Sequence, residues 1–198
     1  MRAIFFDLDG TLLEFVRPYE DVLADAFREV AGEVREEWVA AYDEPFFEAL
    51  FACESNPTRR AFAAVDAGPE PDALADALLA AAVAATRPPD GAPADLARLA
   101  ETYELGVLTN GVRAWQERKL RATGLHEYVD VFVASYEAGA HKPDPAPFRL
   151  AERRSSADEH AMVGDADADV DGASAVGWPA HRYDGGGFAD LPRAVGWD

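Results

Sequence analysis

The stretch that decides the fold is Arg2-Ala3-Ile4-Phe5-Phe6-Asp7-Leu8-Asp9-Gly10-Thr11, an apolar run that ends in two acids and a glycine. A short apolar run is typical of a buried parallel strand, and the residues after it indicate a polar turn at its carboxyl end. Asp7 and Asp9 are alternate residues, so their carboxylates can converge on one site. A solvated turn is the commoner interpretation of a lone Asp-Gly pair, but the strongly apolar strand before it favours a functional site.

Beyond this stretch, residues 19–86 carry helical patterning and no convincing strand. Helices are predicted over 19–31, 33–53, 58–65 and 72–86, separated by proline and glycine. After residue 93, helices and strands alternate. The predicted strands are 104–108, 129–135, 160–163 and 180–183, and the predicted helices are 94–102, 113–122, 145–154 and 172–176. The three glycines at 185–187 predict a loose tail.

This alternation predicts an α/β fold with a doubly wound parallel sheet. The helical block is too long to be a loop, so we expect a small all-helical domain inserted after the first strand. The predicted limits are 1–15 and 89–198 for the α/β core and 16–88 for the helical domain.

The charge of the chain is strongly negative. The formal net charge is −19, from 37 acidic against 18 basic residues, and only Lys119 and Lys142 are lysines. The hydrophobic content of 49% is too high for a disordered acidic chain. An evenly acidic, lysine-poor surface resembles that of proteins from salt-loving organisms, so we expect a halophilic protein, from a haloarchaeon. Such a field also disfavours binding to nucleic acid or to an anionic membrane.

The cellular location of the protein is predicted from three features that its sequence lacks. No window approaches the ~18 apolar residues that span a bilayer. The sequence begins directly with the strand-like segment, without room for a signal peptide. Its single Cys53 cannot form an intramolecular disulfide. We therefore expect a cytoplasmic protein, and the sequence makes no prediction of its oligomeric state.

Three more polar clusters follow predicted strands, and open α/β sheets bind ligands at these carboxyl ends. Thr109-Asn110-Gly111 lies where a strand meets a helix; its hydroxyl and backbone N–H groups suit a phosphate, although a threonine helix cap is the commoner explanation. Lys142 precedes a proline, and its compact ammonium suits a contact to phosphate or carboxylate. Both readings are weak when taken alone.

The third cluster is Gly164-Asp165-Ala166-Asp167-Ala168-Asp169. Carboxylates after an apolar strand are the hard oxygen ligands that magnesium prefers. An exposed acidic turn is the serious alternative in so acidic a chain. We interpret Asp167 and Asp171 as surface acids of this ordinary kind.

Together these clusters resemble the haloacid dehalogenase superfamily. Asp7-Leu8-Asp9-Gly10-Thr11 matches its first motif, Thr109 its second, Lys142 its third, and Gly164-Asp165 with Asp169 its fourth. The order and spacing agree over essentially the whole chain. Ser135-x-Glu137-x-Gly139, just before Lys142, is similar to the subgroup related to phosphoglycolate phosphatases.

The resemblance implies a role for each matched residue. Asp7 would be the nucleophile, and Asp9 would protonate the leaving alcohol and later activate water. Lys142 would neutralise Asp7 and the transferring group. The implied phosphate-binding residues are Thr109, Asn110 and Gly111, helped by backbone amides at residues 8 and 9. The implied cofactor is Mg²⁺, held by Asp7, by Asp9 through its carbonyl and by Asp165, with Asp169 behind them. The helical domain would be a mobile cap of the type called C1.

The implied activity is hydrolysis of a phosphomonoester of a small soluble metabolite through an aspartyl phosphate. Dehalogenases of the family lack the second aspartate, so the presence of Asp9 favours a phosphatase over a dehalogenase. A phosphomutase of the β-phosphoglucomutase type stays open, since it shares all four motifs. A phospho-receiver domain is less favoured, because receivers have no helical insertion.

The sequence does not identify the substrate, which the helical domain should select. Arg59 and Arg60 could contact a second anionic group, but a solvated helix end is the preferred interpretation. Four phenylalanines are interpreted as the core of the helical domain rather than as a substrate-stacking surface: Phe46, Phe47, Phe51 and Phe62.

Overall fold

The computed structural model describes residues 1–197 and divides into two compact units. One consists of Met1–Glu14 together with the chain from Arg87 onward, and the other is Phe15–Thr86. Whether the second unit acts as a substrate cap stays a prediction.

Strands and helices follow one another in an alternating α/β order. The strands are β1 (Arg2–Phe6), β2 (Glu14–Phe15), β3 (Thr86–Arg87), β4 (Glu104–Thr109), β5 (Val131–Ala134), β6 (Glu159–Gly164) and β7 (Ala180–Arg182). The helices are α1 (Tyr19–Ala31), α2 (Glu36–Phe51), α3 (Pro57–Ala64), α4 (Pro71–Ala84), α5 (Ala92–Ala100), α6 (Arg113–Ala122), α7 (Pro145–Arg154), α8 (Asp167–Val176) and α9 (Leu191–Ala194).

Five of the strands form one parallel sheet in the order β5-β4-β1-β6-β7. Side chains alternate along β1, so Ile4 and Phe6 enter one buried layer and Ala3 and Phe5 enter the other. Gly106 on β4 faces the Phe5 ring, which a Cβ at that position would overlap. The predicted α/β class with a parallel sheet is confirmed.

Helix α8 begins five residues earlier than the sequence predicted. Its first turn contains Asp167 and Asp169, whose negative charges suit the positive end of a helix dipole. Asp169 also reaches back to accept the Ala166 N–H at 3.0 Å, as the third residue of a capping box does. Asp167 and Asp169 therefore belong to a helix, whereas Asp165 lies in the turn just before it.

The predicted loose tail after residue 185 is wrong. Phe188, Leu191, Val195 and Trp197 are buried in the same layer as Phe6. The Phe6 and Phe188 rings meet edge to face with centroids 5.4 Å apart. The glycines at 185–187 give the backbone conformational freedom. The apolar residues after them bury enough surface to hold the segment against the core.

The Phe15–Thr86 unit packs its four helices around an aromatic centre. Phe62 lies 5.4 Å from Phe27 and 4.8 Å from Tyr42, measured between ring centroids. The prediction that all four phenylalanines form this core is wrong for two of them, because Phe47 and Phe51 are 47% and 71% exposed. They lie on the solvent-exposed side of α2.

Arg59 and Arg60 are exposed, as the preferred interpretation expected, and each pairs with an acid. Arg59 contacts Asp72 at 2.6 Å, and Arg60 contacts Glu54 at 3.0 Å. Within residues 1–197, none of the helices is long and apolar enough to cross a membrane.

Candidate active site

The sheet order brings the polar clusters together. Strand β1 lies between β4 and β6, so the residues that follow it are flanked by the ends of both neighbours. The Asp7 N–H donates to the Val163 carbonyl at 2.8 Å, which keeps the chain in register just past β1. Because all three strands are parallel, their carboxyl ends share one edge of the sheet.

Lys142 is the central contact of this edge. Its ammonium donates to Asp7 Oδ1 at 2.8 Å, to Asp169 Oδ1 at 2.5 Å and to the Leu108 carbonyl at 2.8 Å. The side chain is only 2% exposed, so all three ammonium donors are used inside the protein. Such a fully bonded buried ammonium has a fixed position.

The charges of this cluster shift one another's protonation. Burial alone would lower the pKa of Lys142, but the carboxylates of Asp7 and Asp169 raise it above its ordinary value. Burial raises the pKa of Asp7 from its ordinary 3.8 to about 6; Lys142 opposes this rise, and Asp169 and Asp9 add to it. Lys142 is thus held charged, and Asp7 ionises less readily than an ordinary carboxyl group.

Two glycines let the carboxylates approach the backbone. Gly10 has φ of 87°, and a Cβ on it would overlap the Asp165 carboxylate. A Cβ on Gly164 would overlap the Asp169 carboxylate in the same way. The Thr11 hydroxyl donates to Asp165 Oδ1 at 3.0 Å and fixes its orientation.

The resulting acidic cluster fits a divalent cation. Single ligand oxygens of Asp7, Asp165 and Asp169 lie within 4.8 Å of one another. Three carboxylates this close repel unless positive charge lies among them, and Lys142 supplies one charge only. Magnesium prefers oxygen ligands, keeps several waters, and needs only one or two carboxylates. Both Asp169 oxygens accept hydrogen bonds, from Lys142 and Ala166, which leaves Asp7 and Asp165 as the better placed ligands.

The predicted phosphate-binding segment, residues 109–111, is hydrogen-bonded to the loop that carries Lys142. Asn110 Nδ2 donates to the Lys142 carbonyl at 3.2 Å, and the Lys142 N–H donates to Asn110 Oδ1 at 2.8 Å. The Gly111 N–H donates to Ser135 Oγ at 2.9 Å. The Asn110 side chain and the Gly111 amide are therefore hydrogen-bonded within the protein, and the Thr109 hydroxyl accepts from the Gln116 amide, which also bonds Asp9.

The Ser135-x-Glu137-x-Gly139 segment supports this loop from outside. Ser135 accepts the Gly111 N–H, and the Glu137 carboxylate binds Arg113 at 2.9 Å and Arg154 at 2.9 Å. Burial alone would raise the pKa of Glu137, but the bonds from Arg154, the Ala134 N–H and Arg113 hold it below its ordinary value. We interpret the segment as a brace for the residue 109–111 turn.

Sequence reasoning missed two residues that hold Asp9. Lys119 Nζ donates to both Asp9 oxygens, at 2.5 and 2.7 Å, and Gln116 Nε2 donates to Asp9 Oδ2 at 2.8 Å. The same Gln116 amide also donates to the Thr109 hydroxyl at 2.9 Å. Both side chains lie on one face of α6, three residues apart. The sequence carried one signal for Lys119, which is the scarcity of lysine. The chain has only two lysines, Lys119 and Lys142, and both are buried in this site.

The surface acids near the site lie where the sequence predicted. Asp167 and Asp171 are exposed, and Asp167 pairs with Arg182. Asp169, two residues from each, is fully buried. Side chains two apart on a helix do not share a face, which separates the site acid from its neighbours.

Comparison with known proteins agrees with this arrangement. Residues 1–177 match the profile of the haloacid dehalogenase-like hydrolases. A phosphoserine phosphatase of Thermus thermophilus is 33% identical over 98% of this chain and 93% of its own. A phosphoglycolate phosphatase of Rhodospirillum rubrum is 33% identical over 90% of this chain and 77% of its own, which confirms that resemblance. A 2-haloacid dehalogenase structure from Pseudomonas syringae superposes with TM-score 0.72 at 28% identity, covering 98% of both chains.

Proposed function

The chain belongs to the haloacid dehalogenase-like hydrolases, with phosphatases among its relatives, and we propose that it is a magnesium-dependent phosphomonoester hydrolase. Its substrate is a small soluble phosphorylated metabolite, and the reaction passes through an aspartyl phosphate on Asp7. The observation that carries this proposal is the Asp7 carboxylate itself. It is buried, ion-paired through one oxygen with Lys142, and beside a second acid, Asp9, two residues on.

The reaction consists of two displacements at phosphorus. A carboxylate oxygen of Asp7 attacks, the bond from phosphorus to the ester oxygen breaks, and the leaving alkoxide takes a proton from Asp9. Water then attacks the phosphoryl group and gives a proton to Asp9. The bond from phosphorus to Asp7 breaks, which releases phosphate and restores both acids. Lys142 offsets the repulsion between the Asp7 carboxylate and the anionic phosphoryl group.

Magnesium, when bound by Asp7 and Asp165 with the Asp9 carbonyl, would supply further positive charge for the phosphoryl oxygens. The protein's own groups orient the reaction, because the Thr109 hydroxyl and backbone N–H groups at the strand ends donate hydrogen bonds to the phosphoryl oxygens. Asp9 favours attack on phosphorus over attack on carbon, because release of halide needs no acid.

The first experiment is phosphate release from a panel of small phosphate esters, with magnesium and with chelator. Replacing Asp165 with alanine should lower magnesium-dependent turnover by roughly 100-fold or more, because it removes a carboxylate from the cation site. It should also abolish the rise in melting temperature that magnesium gives the wild type. Asp171→Ala is the matched control, since it removes an exposed acid of α8, six residues after Asp165.

Equal losses at Asp165 and Asp171 would mean that the fourth motif has been placed in the wrong register. Release of phosphate from a sugar phosphate, rather than its isomerisation, separates hydrolase from mutase. An acyl phosphate that persists for minutes in the wild type would favour the receiver alternative.

The acidic composition gives a second prediction, that the protein is most stable in concentrated salt. The chain carries 37 acids against 18 basic residues, and several of its ion pairs lie on the surface. At about 1 M salt the Debye length falls to about 3 Å, so repulsion between surface acids fades. Melting temperature should rise steadily from dilute buffer to molar potassium chloride. A melting temperature that stays flat or falls would contradict the halophilic interpretation.

A further inference from the structure

We propose that Lys119, together with Gln116, positions the Asp9 carboxyl group for both of its proton transfers, as the acid that protonates the leaving group and as the carboxylate that activates water. The inference rests on the proposed function and adds to it a positioning residue from α6. In this arrangement each aspartate of the first motif has its own lysine. Lys142 contacts Asp7, and Lys119 contacts Asp9.

The geometry of the contact is that of a clamp on one carboxylate. Lys119 Nζ lies 2.5 and 2.7 Å from the two Asp9 oxygens, so the ammonium is centred between them. Gln116 Nε2 adds a third bond at 2.8 Å to Oδ2. Charge-assisted bonds to both oxygens fix the rotation of a carboxylate, which a single bond does not.

The turn that carries Asp9 does not itself bury the side chain. Asp9 follows β1 in an irregular turn, and its side chain is 36% exposed, whereas that of Lys119 is 3% exposed. A partly solvated carboxylate on a turn has rotamer freedom, and misplacement of a catalytic group by about 1 Å can cost about 100-fold in rate. The clamp comes from a regular helix, and positions on helices are better defined than those on loops.

The clamp also connects Asp9 to the phosphate-binding side of the site. The Gln116 amide bonds both Asp9 and the Thr109 hydroxyl, at 2.8 and 2.9 Å. Asp9 and the hydroxyl that donates to a phosphoryl oxygen are thus fixed relative to one another. A purely structural surface pair would not require a nearly fully buried ammonium, whose desolvation is costly.

The test compares an alkyl phosphate with p-nitrophenyl phosphate in Lys119→Met. The alkyl leaving group needs a well-placed proton and the nitrophenolate hardly does, so the two substrates separate positioning from general damage. We expect kcat for the alkyl ester to fall about 100-fold with KM within about threefold. The rate of the nitrophenolate burst should stay within about threefold of wild type.

Three further variants complete the design. Arg118→Met removes an exposed cation next to Lys119 on the same helix and should leave both substrates unchanged. Lys119→Arg can still donate two bonds to a carboxylate and should recover most of the loss. Lys119→Gln, which keeps a donor beside Asp9, should show the same substrate pattern with a smaller loss and serves if Lys119→Met does not fold.

A double-mutant comparison gives the decisive readout. In an Asp9→Asn background there is no proton-transfer group left to position, so adding Lys119→Met should change neither the burst rate nor the residual turnover. A further loss in that background would overturn the inference. So would a fall in the nitrophenolate burst rate of Lys119→Met as large as its fall in kcat for the alkyl ester. If turnover is lost in Asp7→Asn but is unchanged in Lys119→Met, this inference alone is overturned. Turnover that survives Asp7→Asn overturns the proposed function as well.

Discussion

Replacing Asp7 with asparagine is expected to remove phosphatase turnover by about 10⁴-fold or more, for alkyl and nitrophenyl esters alike. An amide oxygen can still accept the bond from Lys142, so the surrounding structure is kept while the nucleophile is lost. Phosphate release in the presence of magnesium measures the effect. The matched control is Asp171→Asn, an exposed acid of α8, which should stay near wild type. Activity of Asp7→Asn within about tenfold of wild type would place the nucleophile elsewhere.

The same variant should be more stable than the wild type when no metal is bound. Burial raises the pKa of Asp7 from 3.8 to about 6, so the folded protein holds this proton more tightly than the unfolded chain does. The protonated Asp7 makes its full contribution to the stability of the folded state below about pH 4, and this contribution is lost as pH rises through about 6. Asparagine does not ionise. The melting-temperature advantage of Asp7→Asn in chelator should therefore grow between these pH values, and a constant difference would contradict it.

Replacing Asp9 with asparagine is expected to separate the two chemical steps. The variant keeps Asp7, Lys142 and the backbone carbonyl of residue 9, but it cannot give or take a proton. Nitrophenolate is a good leaving group, so the first step should still occur. The second step should stall because no base activates water. The expected record is a burst of about one nitrophenolate per active site, followed by a very slow steady state.

The alkyl phosphate provides the internal control for that experiment. Its leaving group needs the proton that the variant lacks, so Asp9→Asn should show neither burst nor turnover with it. Steady turnover of p-nitrophenyl phosphate near the wild-type rate would remove Asp9 from the mechanism.

Much of the α/β core could be predicted because its signals are local. The apolar run before Asp7 is a buried strand, and the acids after it stand at a strand end. Alternating helices and strands then fix a parallel sheet, and a parallel sheet brings its carboxyl ends to one edge. The convergence of Asp7, Lys142 and Asp165 followed from these steps, although the role of each residue was implied by resemblance alone.

What could not be predicted depends on tertiary contacts. Lys119 looks like an ordinary basic residue of an amphipathic helix, and only the packing of α6 directs it at Asp9. The tail beyond the glycines reads as flexible, yet Phe188 finds a buried partner in Phe6. Phe51 reads as core and is exposed, because a helix face is buried only where another element covers it. In each case a distant part of the chain decides the outcome.

The most direct test of the account is to locate the phosphoryl group on Asp9→Asn after brief exposure to p-nitrophenyl phosphate and magnesium. The reaction is quenched in acid, the intact mass is measured, and the modified peptide is identified by mass spectrometry. We expect one added phosphoryl group on the peptide that contains Asp7, and none on a variant that also carries Asp7→Asn. An unmodified protein, or a phosphoryl group on any residue other than Asp7, would contradict it.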